Sequence, residues 1–161
     1  MKALIVYRSK YGASAECARR IAACLNAECD VADLKELKPD PAQYDLIIVG
    51  GSIYAGRMQR SVGRYCEKHR AALQGMPVGY YISCLYKDDQ AREELESNFP
   101  DWLRAHASAA DWLGGRIRLK EMSRIDKFLY TKIAGVTEDV SAIDEERIQA
   151  FCASMNAQIG K

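Results

Sequence analysis

Proline is scarce in this sequence and histidine scarcer, with 4 and 2 among 161 residues, and 23 basic side chains almost cancel 22 acidic ones. The near-neutral balance removes the general cationic excess with which proteins grip nucleic acid. His69 and His106 match no zinc-ligand spacing, and the six cysteines, at 17, 24, 29, 66, 84 and 152, contain no C-x-x-C pair. Most of them fall on the apolar side of an expected element, so they are read as buried free thiols. Cys84 is the candidate for a redox-sensitive thiol, because it ends a strand near the candidate site. No apolar run approaches the roughly 20 residues of a membrane-spanning helix. The opening Met1-Lys2-Ala3-Leu4-Ile5-Val6-Tyr7 stops too soon for a secretory signal and has no cleavage site behind a long apolar core. It reads as a first strand that begins at once, in a cytoplasmic protein. Internal repeats and low-complexity linkers are missing too, so 1–161 is expected to form one domain.

What is present alternates strand and helix. Lys2–Tyr7 is short, apolar and rich in β-formers, and from Ala15 the apolar positions switch to helical spacing at Ala18, Ile21, Ala22 and Leu25. Cys29–Leu34 reads as a second strand. Asp45–Gly50 is a continuous apolar run of the kind buried on both faces of a parallel sheet. Val62, Tyr65, Cys66 and His69 follow at helical spacing, then a strand over Val78–Cys84. A helix from Gln90 to about His106, broken at Pro100, leads to a fifth strand over Asp111–Arg118. A helix over Ser123–Ala134 presents Ile125, Phe128, Leu129 and Ile133 on one side, expected to pack on the core in preference to touching a bilayer. The last helix carries the clearest stripe: Ile148, Phe151, Cys152, Met155 and Ile159. Five strands separated by helices predict a doubly wound α/β fold, which binds ligands beyond the carboxyl ends of its strands.

Three loops at that edge are informative. After strand one, Arg8-Ser9-Lys10-Tyr11-Gly12-Ala13-Ser14 runs straight into a helix. Its hydroxyls, its glycine and the free N–H groups of a helix start suit a phosphate monoester. It is neither a Walker loop nor a G-x-G-x-x-G fingerprint. After strand three, Gly50-Gly51-Ser52-Ile53-Tyr54-Ala55-Gly56 offers backbone approach, an aromatic and a second flexible point, as a flat ring requires. After strand four, Ser83-Cys84-Leu85-Tyr86-Lys87-Asp88 adds another aromatic. A receiver domain is excluded, because Tyr7-Arg8 and Gly50-Gly51 stand where its acidic residues belong.

On these residues the chain resembles the flavodoxin family. Ser9-x-x-Gly12-x-Ser14 is similar to its FMN phosphate loop, Gly50–Tyr54 to its first ring-stacking loop, and Ser83–Asp88 to its second. The resemblance implies a flavodoxin-like three-layer sandwich with a five-stranded parallel sheet of order 2-1-3-4-5. It implies FMN as cofactor, with Ser9, Lys10, Gly12, Ala13 and Ser14 at the phosphate. Ser52, Ile53, Tyr54, Ala55 and Gly56 are implied on one side of the ring, and Ser83, Leu85 and Tyr86 on the other. A narrower resemblance, carried by Tyr44-Asp45, Gly51-Ser52-Ile53 with Gly56, Lys68-His69 and the segment Arg116–Gly135, is to the menaquinone-dependent protoporphyrinogen dehydrogenase branch. It implies a dehydrogenase passing electrons through FMN to a quinone, with no catalytic residue assigned.

Charge bears on the substrate. Residues 57–70 hold five basic side chains against Glu67, and residues 113–135 hold six against Glu121 and Asp126, a local +4 in each. Two such patches suit an anionic small molecule or an anionic membrane surface touched through 116–135. The alternatives are a flavodoxin electron carrier that shuttles single electrons between redox partner proteins, and a degenerate fold used only for binding.

Overall fold

The computed structural model describes residues 1–133 and 135–161. β1 (Lys2–Arg8) leads through the first loop into α1 (Ala13–Cys24) and back along β2 (Glu28–Asp33). β3 (Leu46–Tyr54) turns in a tight hairpin onto the two-residue β4 (Arg57–Met58), and α2 (Arg60–Lys68) and α3 (Arg70–Gln74) return the chain to β5 (Val78–Ser83). α4 (Asp88–Asn98) and α5 (Asp101–His106) part at Pro100, ahead of β6 (Ala109–Trp112) and β7 (Gly114–Ile117). α6 (Arg124–Phe128) continues as a π-helical turn over Leu129–Ile133, followed by β8 (Val140–Ile143) and α7 (Glu145–Asn156).

The main sheet runs β2-β1-β3-β5-β6 with every neighbour parallel, which is the expected 2-1-3-4-5 order. Successive side chains on a strand point to opposite faces. Ala3, Ile5, Leu46 and Ile48 therefore pack with Cys17, Ala18 and Ile21 of α1 and with Ile148, Phe151 and Met155 of α7. Leu4, Val6, Ile47 and Val49 face the other way, onto Val62, Cys66, Leu73, Leu95 and Leu103 of α2 to α5. All four strand residues on each face are fully buried. Burying each Leu, Ile or Val contributes about 1.5–3 kcal/mol, so the layers are held by apolar packing on both sides.

The structure departs from the sequence expectations in four places. The fifth strand ends at Trp112, and Gly114–Ile117 leaves the sheet to pair antiparallel with β8. Gly114 has φ +78°, and a Cβ there would lie 1.9 Å from the Ala142 carbonyl oxygen, so only glycine permits this exit. The helix expected over Ser123–Ala134 is one short α-helix and a π-helical turn, and its far end at Ala134 lies outside the described residues. Ile125, Phe128 and Ile133 do not reach the core but stand exposed. Finally, Cys24 and Cys152 are not free thiols: a disulfide joins α1 to α7 with the Cα atoms 6.2 Å apart. Cys17, Cys66 and Cys84 are buried and free, as expected, and Cys29 is free and half-buried.

Candidate functional site

Strand order reverses between β1 and β3, and the loops after β1, β3 and β5 meet there in a cavity of about 470 Å³, within the roughly 300–1,000 Å³ usual for ligand sites. Lys10 and Ala13 line it from the first loop, Ser52, Ile53, Tyr54, Ala55 and Gly56 from the second, and Ser83, Leu85 and Tyr86 from the third. Ser9, Gly12 and Ser14 do not line it. The Ser9 hydroxyl accepts the Gly12 N–H at 2.9 Å and so shapes the loop itself. Ser14 is fully buried, with its hydroxyl 3.4 Å from that of Tyr81. The Tyr81 hydroxyl donates to the Ser14 carbonyl oxygen at 2.8 Å, tying β5 to the start of α1.

The glycine pair has a different use from the one expected. A Cβ on Gly50 would fall 2.0 Å from the Tyr81 ring, and one on Gly51 would fall 2.3 Å from the Met58 sulfur. The flat group that Gly50 admits is the protein's own tyrosine. The flexible loop expected at Tyr54–Gly56 is a hairpin pairing Tyr54 with Arg57. Its two central residues, Ala55 and Gly56, have φ of 50° and 75°, the left-handed pair that a two-residue turn between twisted strands needs.

The end expected to receive a phosphate has the makings of an anion seat. No side chain caps α1, so its first N–H groups stay open to a ligand. Lys10 stands at the cavity wall with its ammonium 2.7 Å from Asp126 and 3.8 Å from the centre of the Tyr54 ring. Arg116, on β7, brings its guanidinium to 3.5 Å from the Tyr11 carbonyl oxygen.

Asp126 organises what lies above. It is 4% exposed and accepts hydrogen bonds from the Tyr11 and Tyr54 hydroxyls as well as the Lys10 ammonium. Burial pushes its carboxyl up, but the bonds from Lys10, Tyr11 and Tyr54 prevail and hold it at about 2. The same bond, helped by burial, lifts the Tyr54 phenol to about 12. These contacts draw Met122–Ile133 across the cavity, where Met122, Leu129, Tyr130 and Ile133 form its outer wall, with Val136 beside them. Tyr130 lies 5.9 Å from Tyr54, ring centre to ring centre.

Two further groups line the cavity. Cys84 is there as expected, but burial pushes its thiol up to about 12, so it is a neutral thiol and not a reactive thiolate. Glu94 of α4 is 9% exposed, has one carboxylate oxygen without a hydrogen-bond partner, and is shifted up by burial. Sequence reasoning missed Glu94, Asp126 and Tyr130 as site residues, and placed Arg116 only within a basic patch. The density of charge in 113–135 hinted at Arg116 and Asp126, and nothing in the sequence hinted at Glu94 or Tyr130.

A cavity lined by Lys10 and Arg116 beside an uncapped helix start, and by Tyr54 and Tyr86 from two other loops, accepts a flat ring carrying an anionic tail. The chain belongs to the flavodoxin domain family, which matches residues 4–144. It is a flavodoxin-like redox protein whose cofactor is FMN, and the residues lining the cavity fit that group. Among curated relatives, it is 29% identical to the protoporphyrinogen IX dehydrogenase [quinone] of Escherichia coli strain K12, over 94% of this chain and 92% of that one. Among solved structures, a short-chain flavodoxin associated with a PDU bacterial microcompartment superposes with TM-score 0.60 at 16% identity, covering 96% of this chain and 95% of that one. The Fusobacterium nucleatum flavodoxin bound to flavin mononucleotide gives 0.56 at 11% identity, with 97% of each chain covered.

Proposed function

We propose that this protein is an FMN-dependent dehydrogenase that passes electrons from an anionic, reduced tetrapyrrole of the protoporphyrinogen type to a quinone. The observation that carries the reading is the apolar wall that the segment after β7 adds to the cofactor cavity. An electron carrier needs only an accessible ring edge, whereas here Met122, Leu129, Tyr130 and Ile133 build an apolar wall beyond Tyr54. Around it Arg118, Lys120, Arg124, Lys127 and Lys132 are exposed, a basic rim suited to carboxylates. The similarity to protoporphyrinogen IX dehydrogenase over nearly the whole chain supports the same reading.

In this proposal Lys10, Ala13 and the open N–H groups of α1 hold the FMN phosphate. Ser52–Gly56 flank one side of the ring and Ser83, Leu85 and Tyr86 the other. FMN supplies the acceptance of electrons from one partner and their release to the next. The protein orients the ring, excludes water with the wall from Met122 to Ile133, and steers the substrate's carboxylates with the rim. Ile125, Phe128 and Ile133 stand 73%, 57% and 73% exposed among those cations, a pattern suited to shallow insertion at a membrane surface, where a lipid-soluble quinone resides. No helix among the described residues is long and apolar enough to cross a membrane.

The test is anaerobic turnover of FMN-reconstituted protein with protoporphyrinogen and a menaquinone, followed by porphyrin fluorescence. Turnover is expected, and the double charge reversal Arg118→Glu/Lys127→Glu is expected to lower it about tenfold and to weaken binding to anionic vesicles. If both survive the reversal, the basic segment has no such role. A stable FMN complex that leaves porphyrinogen untouched and is photoreduced in two separate one-electron steps would instead make the chain a carrier.

A further inference from the structure

We propose that Arg116 is a second anchor for the FMN phosphate, so that this protein grips the dianion with a dedicated cation as well as with the backbone of its first loop. The proposal rests on the flavin reading above and extends it to a residue that no part of that reading uses.

The fold delivers Arg116 to the phosphate loop. Gly114 turns the chain out of the main sheet through its left-handed conformation, and Gly115 then passes so close to the third loop that a Cβ would lie 2.9 Å from the Cys84 carbonyl. One residue later the Arg116 side chain lies along Gly12. A Cβ on Gly12 would come within 2.6 Å of a terminal guanidinium nitrogen, so glycine there makes room for the arginine. The side chain lines the same cavity wall as Lys10, Tyr11 and Ala13.

At that position the guanidinium lacks what its burial calls for. Its Nε is buried with no hydrogen-bond partner, and its one polar contact is the long 3.5 Å approach to the Tyr11 carbonyl oxygen. Among the described residues it joins no ion pair. A buried donor on a charged group is normally satisfied, and an orphaned one marks a missing partner. Lys10, the other cation of the seat, already sits against Asp126. The two hydroxyls expected to donate to a phosphate, Ser9 and Ser14, are turned to Gly12 and to Tyr81. Arg116 is therefore the cation of this seat whose charge has no counterpart. A planar fork of N–H donors matches phosphate oxygens in pairs.

Riboflavin carries the same ring as FMN without the phosphate, so the pair isolates the anchor. Dissociation constants for both flavins would be measured by fluorescence quenching on apoprotein, for the wild type, Arg116→Gln and Arg116→Lys. Far-ultraviolet circular dichroism would confirm the fold of each variant. Arg116→Gln is expected to weaken FMN by about 10- to 100-fold, the scale of one charge-assisted contact. Riboflavin affinity should change less than about twofold, and Arg116→Lys should recover part of the loss. Inorganic phosphate, titrated alone, should raise the melting temperature of the wild type and not that of Arg116→Gln. Equal weakening of FMN and riboflavin would make Arg116 a structural residue and overturn the proposal. Unchanged FMN affinity would overturn it as well. A wild type that binds neither flavin would instead sink the flavin reading itself, a result visible before any variant is made.

Discussion

β1, β3 and β5 bury apolar side chains on both faces, whereas from Met122 to Ile133 the side chains of Ile125, Phe128 and Ile133 stand in solvent and the one buried residue is Asp126. The first region is held by area: Leu4, Ile5, Ile47 and Ile48 have no exposed surface at all. The second is held by a charge that collects Lys10, Tyr11 and Tyr54 from two different loops. A sheet built the first way tolerates no local opening without losing the whole. A cover built the second way can detach at a cost limited to one cluster, leaving the sheet intact. In the proposed function, a substrate entering under Met122–Ile133 would use that asymmetry.

The largest effect is expected in the sheet. Ile48→Ala removes a fully buried side chain between α1 and α7 and should cost about 3–4 kcal/mol in denaturant unfolding. A loss under about 1 kcal/mol would mean that the layers are not packed as described. Asp126→Asn should act on the cover alone, with a global cost of about 2 kcal/mol or less. Its signature is faster proteolysis within 118–133. The Asp126 carboxyl titrates lower in the folded protein than when unfolded, so the stability it contributes is present above the ordinary aspartate range. That stability is lost as pH falls through that range toward about 2. The gap in melting temperature between wild type and Asp126→Asn should therefore close on acidification from pH 5. A gap that stays constant would detach the stabilisation from the carboxylate charge.

Glu94 should show the opposite and smallest effect. Its carboxyl is shifted up by burial, so the folded protein holds a proton that the unfolded chain releases, and stability falls as pH rises above the ordinary glutamate range. Glu94→Gln should raise the neutral-pH melting temperature by about one to three degrees and leave it unchanged in acid. A loss of stability at neutral pH would show that the ionised carboxylate is bonded in the native protein.

The sheet was legible because apolar strands announce themselves locally. The continuous apolar runs Leu46–Val49 and Ala3–Val6 give strand and burial on both faces with no knowledge of distant residues, while the strand order was implied by the family resemblance. The stripe of α7 was equally plain, since Ile148, Phe151, Cys152 and Met155 recur at helical spacing and all are buried. The same signal misled at Ile125, Phe128 and Ile133. Helical spacing marks one side of a helix without saying whether protein or solvent lies against it. Gly50 and Gly51 correctly marked close approach, but the approaching groups, Tyr81 and Met58, are 31 and 7 positions away. The three loops of the cavity could be named because the fold class places them. Arg116, Glu94 and Asp126 could not, because each reaches the cavity from an element outside those three loops. The same holds for Cys24 and Cys152, whose joining depends on α1 and α7 lying side by side.

That disulfide also changes the molecule's connectivity. Cys24 and Cys152 lie 128 positions apart, so the chain between them is a closed covalent ring with two tails. One tail carries β1 and the phosphate loop, while the ring carries the β3–β4 hairpin, the loop after β5, β7 and the cover over the cavity. A single backbone break anywhere in that ring opens a circle without releasing a piece. The cover can be cut through while both halves of the cavity stay tethered to one another and to the loop after β1.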